Sequence, residues 1–170
     1  MTPNQRGALE ALAGRALTTA EVEQITPLVA AEPRADAQIA AILSVGRTRV
    51  ETGLVITTRG AASRFPAAAP LTGPLAFEAA MLALETFAAQ GIQSANPQTM
   101  LTARAVKRQL VAFDERGLDF GDPVLRGMLD SFTVSEPPLL TGAQVAGFKS
   151  LANVADPVSE RAVTIALNGA

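Results

Sequence analysis

Apolar residues recur at helical spacing along most of the chain. Over Asn4 to Ala16, residues Leu9, Leu12 and Ala16 fall on one face and predict a first helix. Thr18 followed by Glu21 is a capping box, in which the hydroxyl accepts from the third amide and the carboxylate reaches back. Val22, Ile25 and Val29 continue that second helix, with Pro27 as a kink or a restart. A third helix is expected from Ala35 to Val45, with Ile39, Ile42 and Leu43 inward and Gly46 as a left-handed cap. Leu75 to Gln90 is apolar at nearly every angle, with Glu78 and Glu85 marking one narrow polar stripe. This pattern predicts a helix buried on most sides, with Leu82 and Leu84 in or beside the core. It reads as the central helix of its own fold, and any uncovered remainder is a contact patch.

Three Asx-Pro pairs punctuate the rest. Asn96-Pro97 predicts a helix running to Arg116 and stopping at Gly117, with Ala103, Val106, Leu110 and Phe113 inward. Asp122-Pro123 opens the next, with Leu125, Met128, Leu129 and Phe132 at i, i+3, i+4 and i+7. Thr141 starts another, and Asp156-Pro157 is expected to start the last. Only Arg47 to Thr58 has strand character, through the alternation of Val50, Thr52, Leu54 and Ile56. Its partner is open: Phe132-Thr133-Val134, a neighbouring subunit, or none if it is an extended loop.

The fold expected is all-α, an array of about seven short helices in two halves, with at most one short β segment near 49–57. An N-terminal helical subdomain, 1–60, is joined by a Pro/Ala-rich linker, 61–74, to a C-terminal helical subdomain, 75–170. Leu17-Thr18-x-Ala20-x-Val22 echoes Leu140-Thr141-x-Ala143-x-Val145, but no third copy makes a repeat array.

Composition narrows the chemistry. The 170 residues include no cysteine, histidine, tryptophan or tyrosine. Zinc, haem and iron–sulfur ligand sets are therefore excluded, as are a Ser-His-Asp triad and a cysteine nucleophile. Alanine is about a fifth of the chain, which favours helices and close helix packing. A net charge of −2 gives no electrostatic footprint for nucleic acid and little self-repulsion against assembly. Met1 to Arg15 carries Arg6, Glu10 and Arg15 without an apolar core, so no signal peptide is expected. Phe65 to Phe77 is interrupted by Pro66, Pro70 and Pro74, so no membrane span is expected either. The chain is expected to be made in a cytoplasm.

Asp119 and Asp122 are the carboxylates best placed for acid–base work, yet they read as a turn residue and a helix N-cap. The Asp114–Asp122 string lacks the ligand alternation of a calcium loop, so no metal is expected. No catalytic residue, metal ligand or cofactor site is assigned. Arg104, Lys107 and Arg108 form a basic strip on an amphipathic helix, read as a solvated face or as a contact for phosphate or an acidic partner surface. Arg47 and Arg49 form a second basic pair, without the Gly-Lys-Ser/Thr of a phosphate loop. The candidate interaction residues are Arg47, Arg49, Val50, Leu54, Ile56, Arg104, Lys107 and Arg108. The Arg47–Thr58 and Ala61–Pro74 segments are expected to carry assembly contacts, with Arg47 and Arg49 meeting acidic groups or carbonyls of a partner.

The segments Leu43-Ser44-Val45-Gly46-Arg47-Thr48-Arg49-Val50 and Asp156-Pro157-Val158-Ser159-Glu160-Arg161-Ala162-Val163, with the Leu118 to Pro123 helix start, resemble a group of small tailed-bacteriophage proteins encoded among virion structural genes. The resemblance implies a non-enzymatic structural or adaptor component at the tail tip, baseplate or fibre-attachment region. It implies other virion proteins as partners, a homo-oligomer or symmetric assembly, and location in the virion. The alternative expectation is a cytoplasmic phage-encoded assembly chaperone or host-factor-binding helical module.

Overall fold

The computed structural model describes residues 1–135 and 137–170. In chain order its elements are α1 (Pro3–Ala13), α2 (Thr19–Ala30), α3 (Asp36–Ser44), β1 (Thr48–Val50), β2 (Val55–Ile56), α4 (Thr58–Arg64), α5 (Gly73–Gly91), α6 (Pro97–Arg116), β3 (Leu118–Asp119), α7 (Pro123–Val134), α8 (Gly142–Ser150), β4 (Asn153–Ala155) and α9 (Glu160–Asn168). The chain is mostly helical with a few short strands. Among the described residues there are nine helices rather than the expected seven.

Local capping chemistry sets most helix starts. Thr2, Thr18 and Thr141 each form a full capping box, with Gln5, Glu21 and Gln144 respectively. Asn96 and Asp122 cap helices that begin on proline, where the missing amide costs nothing. Glu21 also receives the Arg15 guanidinium. That contact, followed by the Thr18 amide, lowers its carboxyl from the ordinary 4.5 to about 2.

The chain divides into two compact units, and not at the expected linker. The first comprises Met1–Arg49 and Val154–Ala170. Its core joins Leu9, Leu17, Ile25, Ile39 and Leu43 to Val163 and Leu167 of α9. The C-terminal helix therefore belongs with the N-terminal ones. Asp156-Pro157 does not start α9; Ser159 does, accepting from the Ala162 amide. The Asp156 carboxylate is engaged by Arg47, whose guanidinium also donates to the Leu12 carbonyl. Asp36, the one buried charged residue among those described, is held by Arg34 and the Thr164 hydroxyl. The Arg34 contact is the main reason its carboxyl titrates below its usual range.

The second unit is Val50–Asn153. The expected linker is no linker: Thr58–Arg64 is helical, and Ala61 and Phe65 are buried. Phe65 makes edge contacts with Phe77 and Phe148, while Phe113 and Phe120 extend the cluster. Aliphatic and small residues of α5, α6, α7 and α8 close around these rings. Two glycines permit close approach. A Cβ on Gly91 would lie 2.6 Å from the Ala103 methyl, and one on Gly121 would lie 2.0 Å from the Glu51 carbonyl oxygen.

The β segment is two short strands rather than one. β2 pairs antiparallel with β3, Val55 opposite Asp119 and Ile56 opposite Leu118. β1 pairs with β4. Phe132-Thr133-Val134, one of the partners left open, lies within α7. Of the alternating set Val50, Thr52, Leu54 and Ile56, only Ile56 is buried; Val50 and Thr52 are exposed and Leu54 is half-buried.

α5 departs most from its expected burial. Phe77, Ala80, Met81, Leu84 and Ala88 are buried, and Glu78 and Glu85 are exposed as expected. Leu82, however, keeps 64% of its surface, and Leu75 keeps 57%. The helix is buried along one broad face, not on most sides.

Candidate interaction surface

The predicted interaction residues separate into three environments. Arg47 spends its donors within the first unit, on Leu12 and Asp156, so its acidic group and carbonyl are supplied by its own chain. Arg49 and Val50 are exposed on β1. Leu54 is half-buried and Ile56 is buried at 5% exposure. Ile56 is thus a core residue, held through the β2–β3 pairing. Pro66 to Pro74 follows a Phe65 anchored in the core, and includes an isolated bridge between Ala68 and Leu71.

Arg104, Lys107 and Arg108 remain together on α6, all exposed. None is hydrogen-bonded or ion-paired among the described residues. With Ile92 and Val111 they line a shallow hollow of about 410 Å³. The arrangement is therefore three cations flanked by aliphatic surface. Several other cations are tied down, Arg6 to Glu10, Arg34 to Asp36, Lys149 to Asp130, and Arg126 to the carbonyls of Phe120 and Lys149, whereas Arg59, Arg116 and Arg161 are also without a side-chain partner among the described residues.

Asp119 and Asp122 do not face each other across a cleft. The Asp119 carboxylate accepts the Gly53 and Gly121 amides at 2.6 and 2.8 Å and fastens the turn after β1 to the start of α7. Asp122 accepts from Val124 and Leu125 as the α7 cap. With its acceptors committed to backbone amides, each carboxylate has a structural task.

A larger groove was not legible in the sequence. It lies between α5, the start of α6, and the end of α7 with the chain that follows, and encloses about 810 Å³. Ala79, Leu82, Phe87 and Leu139 supply its apolar surface, while Thr86, Gln90, Gln98 and Thr102 supply neutral polar groups. No charged side chain is among the described residues lining it. Such a surface buries apolar groups and offers hydrogen bonds. Its residues lie on three helices and a loop. Only the isolated apolar Leu82 signalled it, and that residue read as core.

Among the described residues, no helix is long and apolar enough to cross a membrane, and no three Asp or Glu side chains gather as a metal site. No protein-family model, curated protein or solved structure matches the chain.

Proposed function

We propose that this protein is a non-enzymatic structural or adaptor component of a tailed-phage virion, working at the tail tip, baseplate or fibre-attachment region. The observation that carries a binding role is the surface of the second unit. There a groove of about 810 Å³, with no charged side chain among the described residues lining it, runs between α5, α6 and α7, and a strip of three unpaired cations lies on α6. Contiguous exposed apolar surface of this kind marks a place where a partner docks. The virion setting comes from the resemblance of the Leu43–Val50, Leu118–Pro123 and Asp156–Val163 segments to phage structural-module proteins. Its partners in this reading are other virion proteins and further copies of itself, with no nucleic acid, membrane or cofactor in its role.

Quantitative mass spectrometry of gradient-purified virions tests the reading. The protein is expected at a low, symmetry-defined copy number. Absence from particles combined with abundance in infected-cell lysate would overturn the structural role. It would favour the cytoplasmic assembly chaperone or host-factor binder instead, for which the neutral groove would hold an apolar segment of a client.

The location of the contact is a second part of the proposal. Because Arg47 is already occupied within its own unit, charge reversal at Arg104 and Arg108 is the cleaner probe of incorporation. Reversal at Arg47 would be read together with a melt, since it also unties Leu12 and Asp156.

A further inference from the structure

The exposed stripe along α6 has a symmetric order. Leu101, Arg104, Arg108 and Val111 follow at intervals of three, four and three residues, with the aliphatic pair outside and the arginines inside. All four are exposed, Leu101 at 57% and Val111 at 47%. At the helical rise they stand about 4.5, 6 and 4.5 Å apart along one side of the helix. Lys107 adds a third exposed cation beside Arg108. None of the three cations has a hydrogen-bond or ion-pair partner among the described residues. They share their hollow with Ile92 and Val111, and no acidic residue is among the described residues lining it.

We propose that this stripe docks an acidic amphipathic helix of a different protein. The order it selects is aliphatic-x-x-acidic-x-x-x-acidic-x-x-aliphatic, which reads the same in both directions and so fits a parallel or an antiparallel helix. Each carboxylate meets an arginine, Lys107 adds to the local positive potential, and the two aliphatic residues cover Leu101 and Val111. Aliphatic burial contributes affinity, and the charges decide which helices are accepted. An extended segment does not match. Its same-face side chains recur about every 6.6 Å, so four of them run about 20 Å, against about 15 Å on α6. A nucleic acid would neutralise the cations but leave Leu101 and Val111 in water, and a net charge of −2 gives it no wider basic footprint. A second copy of this chain does not offer the order either. Its one match, Val29, Glu32, Asp36 and Ile39, is split between α2 and α3, and Asp36 and Ile39 are buried. This partner chemistry rests on the binding role proposed for the α6 strip and takes nothing from the virion setting. The purified chain tests it alone, so that a failure leaves particle incorporation to be judged on its own.

The experiment is fluorescence anisotropy with the full chain and labelled, alanine-based helical peptides. One peptide carries Leu-x-x-Glu-x-x-x-Glu-x-x-Leu. A second exchanges the Leu and Glu positions at the same composition, and a third has Lys in place of Glu. A labelled DNA duplex is the fourth probe. The first peptide is expected to bind at least about tenfold more tightly than the exchanged one, and more weakly as salt rises. Arg104→Glu with Arg108→Glu should lower its affinity at least about tenfold and let the lysine peptide bind instead. Leu101→Gln with Val111→Gln should weaken the first peptide while keeping its salt dependence. Circular dichroism melts check that both variants remain folded, as expected for exposed positions. No binding of the first peptide, equal binding of the two orders, or binding unchanged in the folded arginine variant overturns the proposal. So does a duplex bound more tightly than the first peptide, which would assign the strip to phosphate.

Discussion

Phe148→Ala is expected to destabilise the second unit by about 3–5 kcal/mol, the largest effect of any single truncation proposed for this chain. Phe148 is 2% exposed and, like Phe77, is in contact with three other rings. Its centroid lies 5.1 Å from Phe65, 6.0 Å from Phe77 and 5.8 Å from Phe120, with the last pair stacked and the others edge to face. Removing the ring forfeits its own burial and leaves three further rings facing a void. The neighbourhood cannot easily collapse. Phe65 already presses on Gly147, where a Cβ would lie 2.5 Å from its ring, so the ring is hemmed in on that side. Urea unfolding should show a lower midpoint with a similar slope. A loss under about 1 kcal/mol would mean that the cluster is not the centre of this core.

The second prediction contrasts two leucines two residues apart. Leu84→Ala should cost about 2–5 kcal/mol, while Leu82→Ala should change stability by no more than about 0.5 kcal/mol. Leu84 is 7% exposed within the α5 core face, whereas Leu82 is 64% exposed. Thermal melts of the purified protein compare them directly. Equal losses would mean that Leu82 is packed in the core after all.

That pair also marks where sequence pattern stops being informative. Helix starts were legible because capping is local: Thr18 with Glu21, Asn96-Pro97, Asp122-Pro123 and Thr141 need only their own next few residues. Orientation was not legible for α5. Periodicity points to a buried face only when the other face is polar, and this helix has leucine on both. Long-range pairing was hidden for a different reason. Nothing near Asp156 reveals that its carboxylate serves Arg47, 109 positions earlier, or that Ser159 rather than Asp156 caps α9. The linker reading failed at Phe65, because three following prolines and many alanines outweighed one aromatic that turns out to anchor the aromatic cluster.

The candidate surface divides along the same line. The α6 cations lie in one helix at fixed spacing, so their exposure followed from the pattern alone. The groove draws on α5, α6, α7 and the chain beyond, from Ala79 to Leu139, and no local window contains it. Arg47, by contrast, looked available because its acceptors are remote in sequence.

In the assembled protein the α5–α6 face of the second unit is expected to be covered. The absence of cysteine makes that directly measurable, since a single introduced thiol is the only one on this chain and its labelling is read from this chain's own mass. Leu82→Cys and Val111→Cys report on the proposed contact, while Val124→Cys and Ile165→Cys report on positions exposed at 81% and 63% elsewhere. In gradient-purified particles the maleimide reaction should be slow at 82 and 111 and fast at 124 and 165. Fast labelling at 82 and 111, with or without protection at 124 and 165, would contradict the assignment of this face as the site of assembly.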